Sequence, residues 1–137
     1  MTGKIIKSLM RSLLLILLIG NGLIFIASLP AVIDPTFALQ IHSDLYPQCG
    51  ILMITLKSAV CFCAGVAYLV AAYGCYHRSS LAFAGIVGAV PFFLLYLIEL
   101  ALWGTIYPYV WTGFLIFGLA SLIIMTGSWF SMRTVNS

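Results

Sequence analysis

A chain that is 64% hydrophobic and 7% charged over 137 residues, with a mean hydropathy of +1.19, has too little polar surface to enclose an apolar core in water. The length is that of one domain, and the composition is that of a protein whose solvent is lipid. The net charge of +3 comes from six Lys and Arg scattered between apolar runs, which gives no basic face of the kind that nucleic acid needs and excludes that partner class.

Four apolar runs, near 12–32, 51–76, 80–103 and 109–131, reach the roughly 20 helical residues that cross a ~30 Å hydrocarbon layer. The fold expected over 1–137 is therefore a single all-α domain, an antiparallel bundle of four transmembrane helices. The first run follows Lys4, Lys7 and Arg11 and ends in FIASLPA, which also resembles a signal peptide with a small-residue cleavage site. Its apolar stretch is longer than a usual signal core, so a retained span is expected. Asn21, between Gly20 and Gly22 near the middle of this run, is expected to hydrogen-bond to a neighbouring helix.

An outer loop of about 33–50 follows, the one sizeable polar segment, with room for a short helix or strand. Its Asp34, His42 and Asp44 have no metal-site spacing, and Cys49 is a candidate reactive or intermolecular thiol. The second run carries Lys57 together with Cys61, Cys63 and Cys75, three thiols that no helical geometry can bridge and that suit small apolar filling. The third contains PFFLLYLIELALWG, residues 91–104, in which Glu99 is the single ionisable side chain. In the fourth, Gly113, Gly118, Ser121 and Gly127 are small residues suited to helix contacts or self-association. The connections 77–79 and 104–108 are so short that the last three spans must be antiparallel neighbours.

Lys and Arg resist translocation, so their positions orient the chain. Lys4, Lys7, Arg11, Arg78 and Arg133, five of the six, fall on one side of a four-span protein. That side is expected to be the cytoplasm of a plasma or bacterial inner membrane, with both termini inside. The amphipathic aromatics follow the same division, with Tyr46, Trp103, Tyr107, Tyr109 and Trp111 outside and Tyr73, Tyr76 and Trp129 inside.

Lys57 lies seven residues past Gly50 and Glu99 five residues before Gly104, which at 1.5 Å per residue places both roughly 7–10 Å below the outer boundary. Opposite charges at one depth on adjacent antiparallel helices are expected to pair. Three roles stay open for them: a structural pair that fixes helix register, a lysine that snorkels to the headgroups, and the polar floor of a ligand or proton site. From Lys57 inward the same face of the second span carries Cys61, Ala64, Gly65, Tyr68, Ala71, Ala72 and Cys75, and from Glu99 inward the third carries Tyr96, Phe92, Gly88 and Gly85. Small residues at one end and the bulky Phe92 and Tyr96 at the other suggest a cleft opening to the outer leaflet, with Pro91 bending the helix where the splay begins. The candidate site is therefore Lys57, Glu99, Tyr96, Phe92 and Asn21.

Catalytic chemistry finds little support. Neither His42 nor His77 lies in a span where haem would need it, and there is no phosphate loop, serine elbow or paired carboxylate. An enzyme is disfavoured, and no cofactor or metal is expected.

A basic N-terminus, a first span ending in LPAVIDP, a longer first outer loop and three tightly connected spans together resemble the DoxX-like small four-helix membrane proteins. The resemblance covers most of the chain through topology and length, and it implies a compact bundle, in some cases associated with quinone-linked redox systems. It carries over no site residue. The small multidrug transporters share the number of spans, but their functional carboxylate lies in the first helix, where this chain has none. The function expected is a non-catalytic accessory or lipophilic-ligand-binding membrane subunit, the alternative being a small transporter or proton-coupled carrier that uses Glu99. The partners expected are the lipid bilayer, a larger membrane complex or a second copy of the chain, and a lipophilic small molecule.

Overall fold

A computed structural model of the chain describes residues 2–27, 29, 33–34, 51–105 and 108–136. The expectations for His42, Asp44, Tyr46, Cys49 and Tyr107, and for a helix or strand in most of the outer loop, fall outside these residues. So do those for the side chains of Trp103 and Tyr109.

Among the described residues the protein is an all-α bundle of four helices: α1 (Thr2–Ile26), α2 (Ile51–Tyr76), α3 (Ala84–Trp103) and α4 (Pro108–Asn136). All four are long and apolar enough to cross a membrane. Their outward faces carry large apolar side chains such as Ile16, Leu23, Val87, Ile98, Leu119 and Phe130, each more than 45% exposed, a surface suited to contact with lipid. The bundle is a small membrane protein.

α1 begins at Thr2, ten residues before the apolar run itself. Lys4, Lys7 and Arg11 are good helix formers and extend the helix into the polar zone instead of preceding it. Pro108 opens α4 in the first turn, where a missing N–H costs nothing. α3 continues through Pro91, whose ring leaves the Val87 carbonyl without its intrahelical donor.

The turn from α2 to α3 is closed by its backbone. Ser79 N–H donates to Gly74 O at 2.7 Å and Arg78 N–H to Cys75 O at 3.4 Å, the paired bonds of a Schellman motif. Arg78 occupies the left-handed position at φ 53°, a place usually given to glycine. Ser79 then caps a single 3₁₀ turn, Ser80–Phe83, by accepting from Leu81 N–H at 3.1 Å, and this turn leads directly into α3. Arg11 of α1 completes the end of α2: its guanidinium donates to Cys75 O through Nε at 3.2 Å and Nη2 at 2.9 Å, and Nη2 also donates to Tyr76 O at 2.5 Å. A cation is thereby set on the negative pole of the α2 dipole.

Each helix packs on the next, and α4 closes back onto α1. The α1–α2 crossing brings backbone against backbone. A Cβ on Gly22 would lie 3.1 Å from Gly65 O and 2.8 Å from the Leu69 side chain, and one on Gly65 would lie 2.9 Å from both Gly22 O and Ile26 N. Backbone meets backbone there, so no side-chain rotation could make room. Gly65→Ala should therefore destabilise the detergent-solubilised protein by about 1–3 kcal/mol in thermal unfolding. Gly20→Ala, where a Cβ meets nothing within 4 Å, should be neutral or stabilising.

Candidate functional site

α2 and α3 run antiparallel, and their register brings Lys57 and Glu99 to one level near the end where α2 begins. The ammonium lies 3.0 Å from Glu99 Oε1 and 3.3 Å from Oε2, so a single cation faces both carboxylate oxygens. The carboxylate side is closed, with the Glu99 side chain 2% exposed, while the Lys57 side chain retains 17%. The lysine stem thus spans from the outer surface of the bundle to its interior, and its head points inward to the carboxylate instead of outward to headgroups. The same Nζ stands 5.7 Å from the centre of the Tyr96 ring, close enough for a cation–π contribution. Ser58, the neighbour of Lys57, is buried as well.

The level directly below the pair is filled. Phe92 and Tyr96 of α3 are buried, and their rings meet edge to face at 4.9 Å. Phe25 of α1 reaches Phe92 at 4.5 Å, and Phe117 of α4 reaches Tyr96 at 5.7 Å. The cleft expected around Phe92 and Tyr96 is therefore closed. Rings from the two helices opposite meet the bulk on α3 in a tilted aromatic arrangement and bury it.

Asn21 does not join this site. Its Nδ2 donates at 2.8 Å to Leu17 O one turn back in α1, so the amide satisfies itself within its own helix instead of bonding to a neighbour. Toward the opposite end the core carries hydroxyls and thiols: Tyr68 and Ser128 are fully buried, and Cys75 Sγ lies 3.6 Å from Ser131 Oγ. Cys61 is half-buried beside the core, whereas Cys63 is exposed on the outer face. There, together with Ala59, Ala67, Val87, Gly88 and Pro91, it lines a shallow apolar groove of about 290 Å³ between α2 and α3. No group of three or more His, Cys, Asp or Glu able to hold a metal ion occurs among the described residues.

Sequence reasoning misses Phe25 and Phe117, whose spans give no sign of which ring they face, and the capping role of Arg11. The spacing of Lys4, Lys7 and Arg11 at i, i+3 and i+7 is a signal that one face of α1 is basic, but it does not reveal which helix end that face meets.

The pair can act as a lock, because removing either partner of a buried ion pair leaves the other charge uncompensated in the interior. Glu99→Gln should leave an ammonium without a counter-charge and Lys57→Met a buried carboxylate, each lowering stability by about 3 kcal/mol. The double variant should recover most of that loss, giving a large coupling in a double-mutant cycle read by thermal unfolding. Additive losses would show that the two charges act independently.

The chain matches no family model, no curated protein and no solved structure.

Proposed function

We propose that this small membrane protein is a non-catalytic accessory subunit, of the DoxX-like kind, that contributes a rigid four-helix unit to a larger membrane assembly. The observation that carries the reading is the closure of the charged site. Glu99 is 1% exposed, Lys57 occupies both of its oxygens, and aromatic rings fill the level below, so the arrangement favours a fixed register over turnover of a substrate. Lipophilic molecules would then meet the bundle from its lipid side, and the apolar groove beside Val87 and Pro91 supports that route. Both termini are assigned to the cytoplasm of a plasma or bacterial inner membrane, supported by the placement of Lys4, Lys7, Arg11, Arg78 and Arg133 at one end.

An accessory role requires that the double variant Lys57→Met with Glu99→Gln, once folded, still co-purify with the same membrane partners as the wild type. A carrier role requires proton-dependent flux in proteoliposomes that Glu99→Gln abolishes, and such flux would replace the accessory role with transport. Orientation is checked by thiol labelling of intact cells. Cys49 should react from outside, while Ser79→Cys and Ser137→Cys should react only after permeabilisation.

A further inference from the structure

We propose that the end of the bundle formed by the start of α1, the α2–α3 turn and the last turn of α4 binds the headgroup of an acidic phospholipid. α1 does not stop where α2 does. Arg11 is level with the carbonyls of Cys75 and Tyr76, so Thr2–Met10 projects beyond the end of α2, about 13 Å of helix at 1.5 Å per residue. On this projection Lys7 and Lys4 stand on the same face as Arg11, roughly 6 and 10 Å farther out, and that is the face turned toward α2.

α4 flanks the same space. The Gly127 backbone lies against Leu14 of α1, and Ser131 lies against Cys75, so Arg133 comes just past the end of α2. His77 and Arg78 belong to the turn that directly follows α2. Lys4, Lys7, Arg78 and Arg133 are exposed. Of the three acidic residues in the chain, Glu99 is held by Lys57 at the other end, and Asp34 and Asp44 belong to the segment that follows the far end of α1. Among the described residues, the basic groups therefore have no side-chain carboxylate at their own end of the bundle.

A second observation fixes the depth. Tyr73, Tyr76 and Trp129 are exposed on the outer surface just inside the basic groups, the position that amphipathic rings take at the edge of the hydrocarbon. From that edge the headgroup layer extends about 5–8 Å, the range that Arg11, Lys7 and Arg133 cover, and Lys4 stands at its outer rim, where its long side chain reaches back toward the phosphate level. The charge, the depth and the adjacent apolar helix surfaces together fit a lipid phosphate whose acyl chains run down the bundle. A phosphate free in solution would have no use for those apolar surfaces. Arg11 has its Nε and Nη2 committed to the α2 carbonyls, so the lipid contacts fall to Lys4, Lys7, Arg78 and Arg133.

The test uses the full chain, delipidated in detergent and titrated with phosphatidylglycerol or phosphatidylcholine, with bound lipid counted by native mass spectrometry. Phosphatidylglycerol is expected to bind about tenfold or more tightly than phosphatidylcholine, and to weaken as ionic strength rises. Lys4→Gln, Lys7→Gln and Arg133→Gln should each lower its affinity roughly fivefold. These side chains are exposed and away from the core, so helical circular dichroism should be unchanged; Arg78→Gln serves as an independent probe should one of them misfold. Equal binding of the two lipids, or unchanged phosphatidylglycerol binding in the folded variants, would overturn the proposal. Displacement of the lipid by an equal concentration of inorganic phosphate would do so as well, by making this a free-anion site.

Discussion

Inside hydrocarbon the hydrophobic effect no longer presses one helix against another, since lipid tails are as apolar as leucine. Whatever holds four apolar helices together must be gained over lipid contact, by close packing or by polar groups that find partners only in the bundle. This protein uses both, at different levels. α1 meets α2 through Gly22 and Gly65, where the backbones touch, and α2 meets α3 through Ala64, Ala67 and Gly88 before the charged pair closes the end of that interface. The aromatic level lies between, where Phe25, Phe92, Tyr96 and Phe117 join three helices. The glycines set how near the helices come, and the charges set which residues face each other. Sliding α3 by one turn would preserve much of the apolar contact but separate Glu99 from its cation.

The two ends of the bundle solve different electrostatic problems. Where α2 begins, a buried charge is neutralised by another side chain, and little remains for an outside molecule. Where α2 ends, the positive groups stay exposed, and the one that is partly covered, Arg11, neutralises helix carbonyls instead of a carboxylate. The asymmetry follows from composition: six basic residues and three acidic ones cannot all pair.

The four spans are legible because apolar runs bounded by Gly, Pro and basic residues carry their own lengths, and counting depth from Gly50 and Gly104 puts Lys57 and Glu99 at the level where the structure has them. Helical spacing also gathers Ala64, Tyr68, Ala71 and Cys75 onto one face, which the structure buries. Contacts that depend on rotamer or on the facing helix are not legible. An amide in mid-span can bond across an interface or back along its own helix, and Asn21 takes the second course. The cleft expected around Phe92 and Tyr96 is absent because two rings from α1 and α4 occupy it, and depth counting on α2 and α3 alone holds no information about them. Arg11 reads in the sequence as a charge that orients the chain, whereas its hydrogen bonds make it part of the α2 terminus.

The 42-residue separation between Lys57 and Glu99 also bears on biosynthesis. At the ~5–20 residues per second of ribosomal synthesis, Lys57 is made about 2–8 seconds before its partner exists. The span of α2 holds no acidic residue of its own, so the carboxylate that faces Lys57 has to come from α3. The short 77–79 turn limits the delay, because α3 follows α2 with almost no intervening chain and the two can partition into lipid as one hairpin. The ion pair can thus be completed within a single helical hairpin, from two helices joined by a three-residue turn.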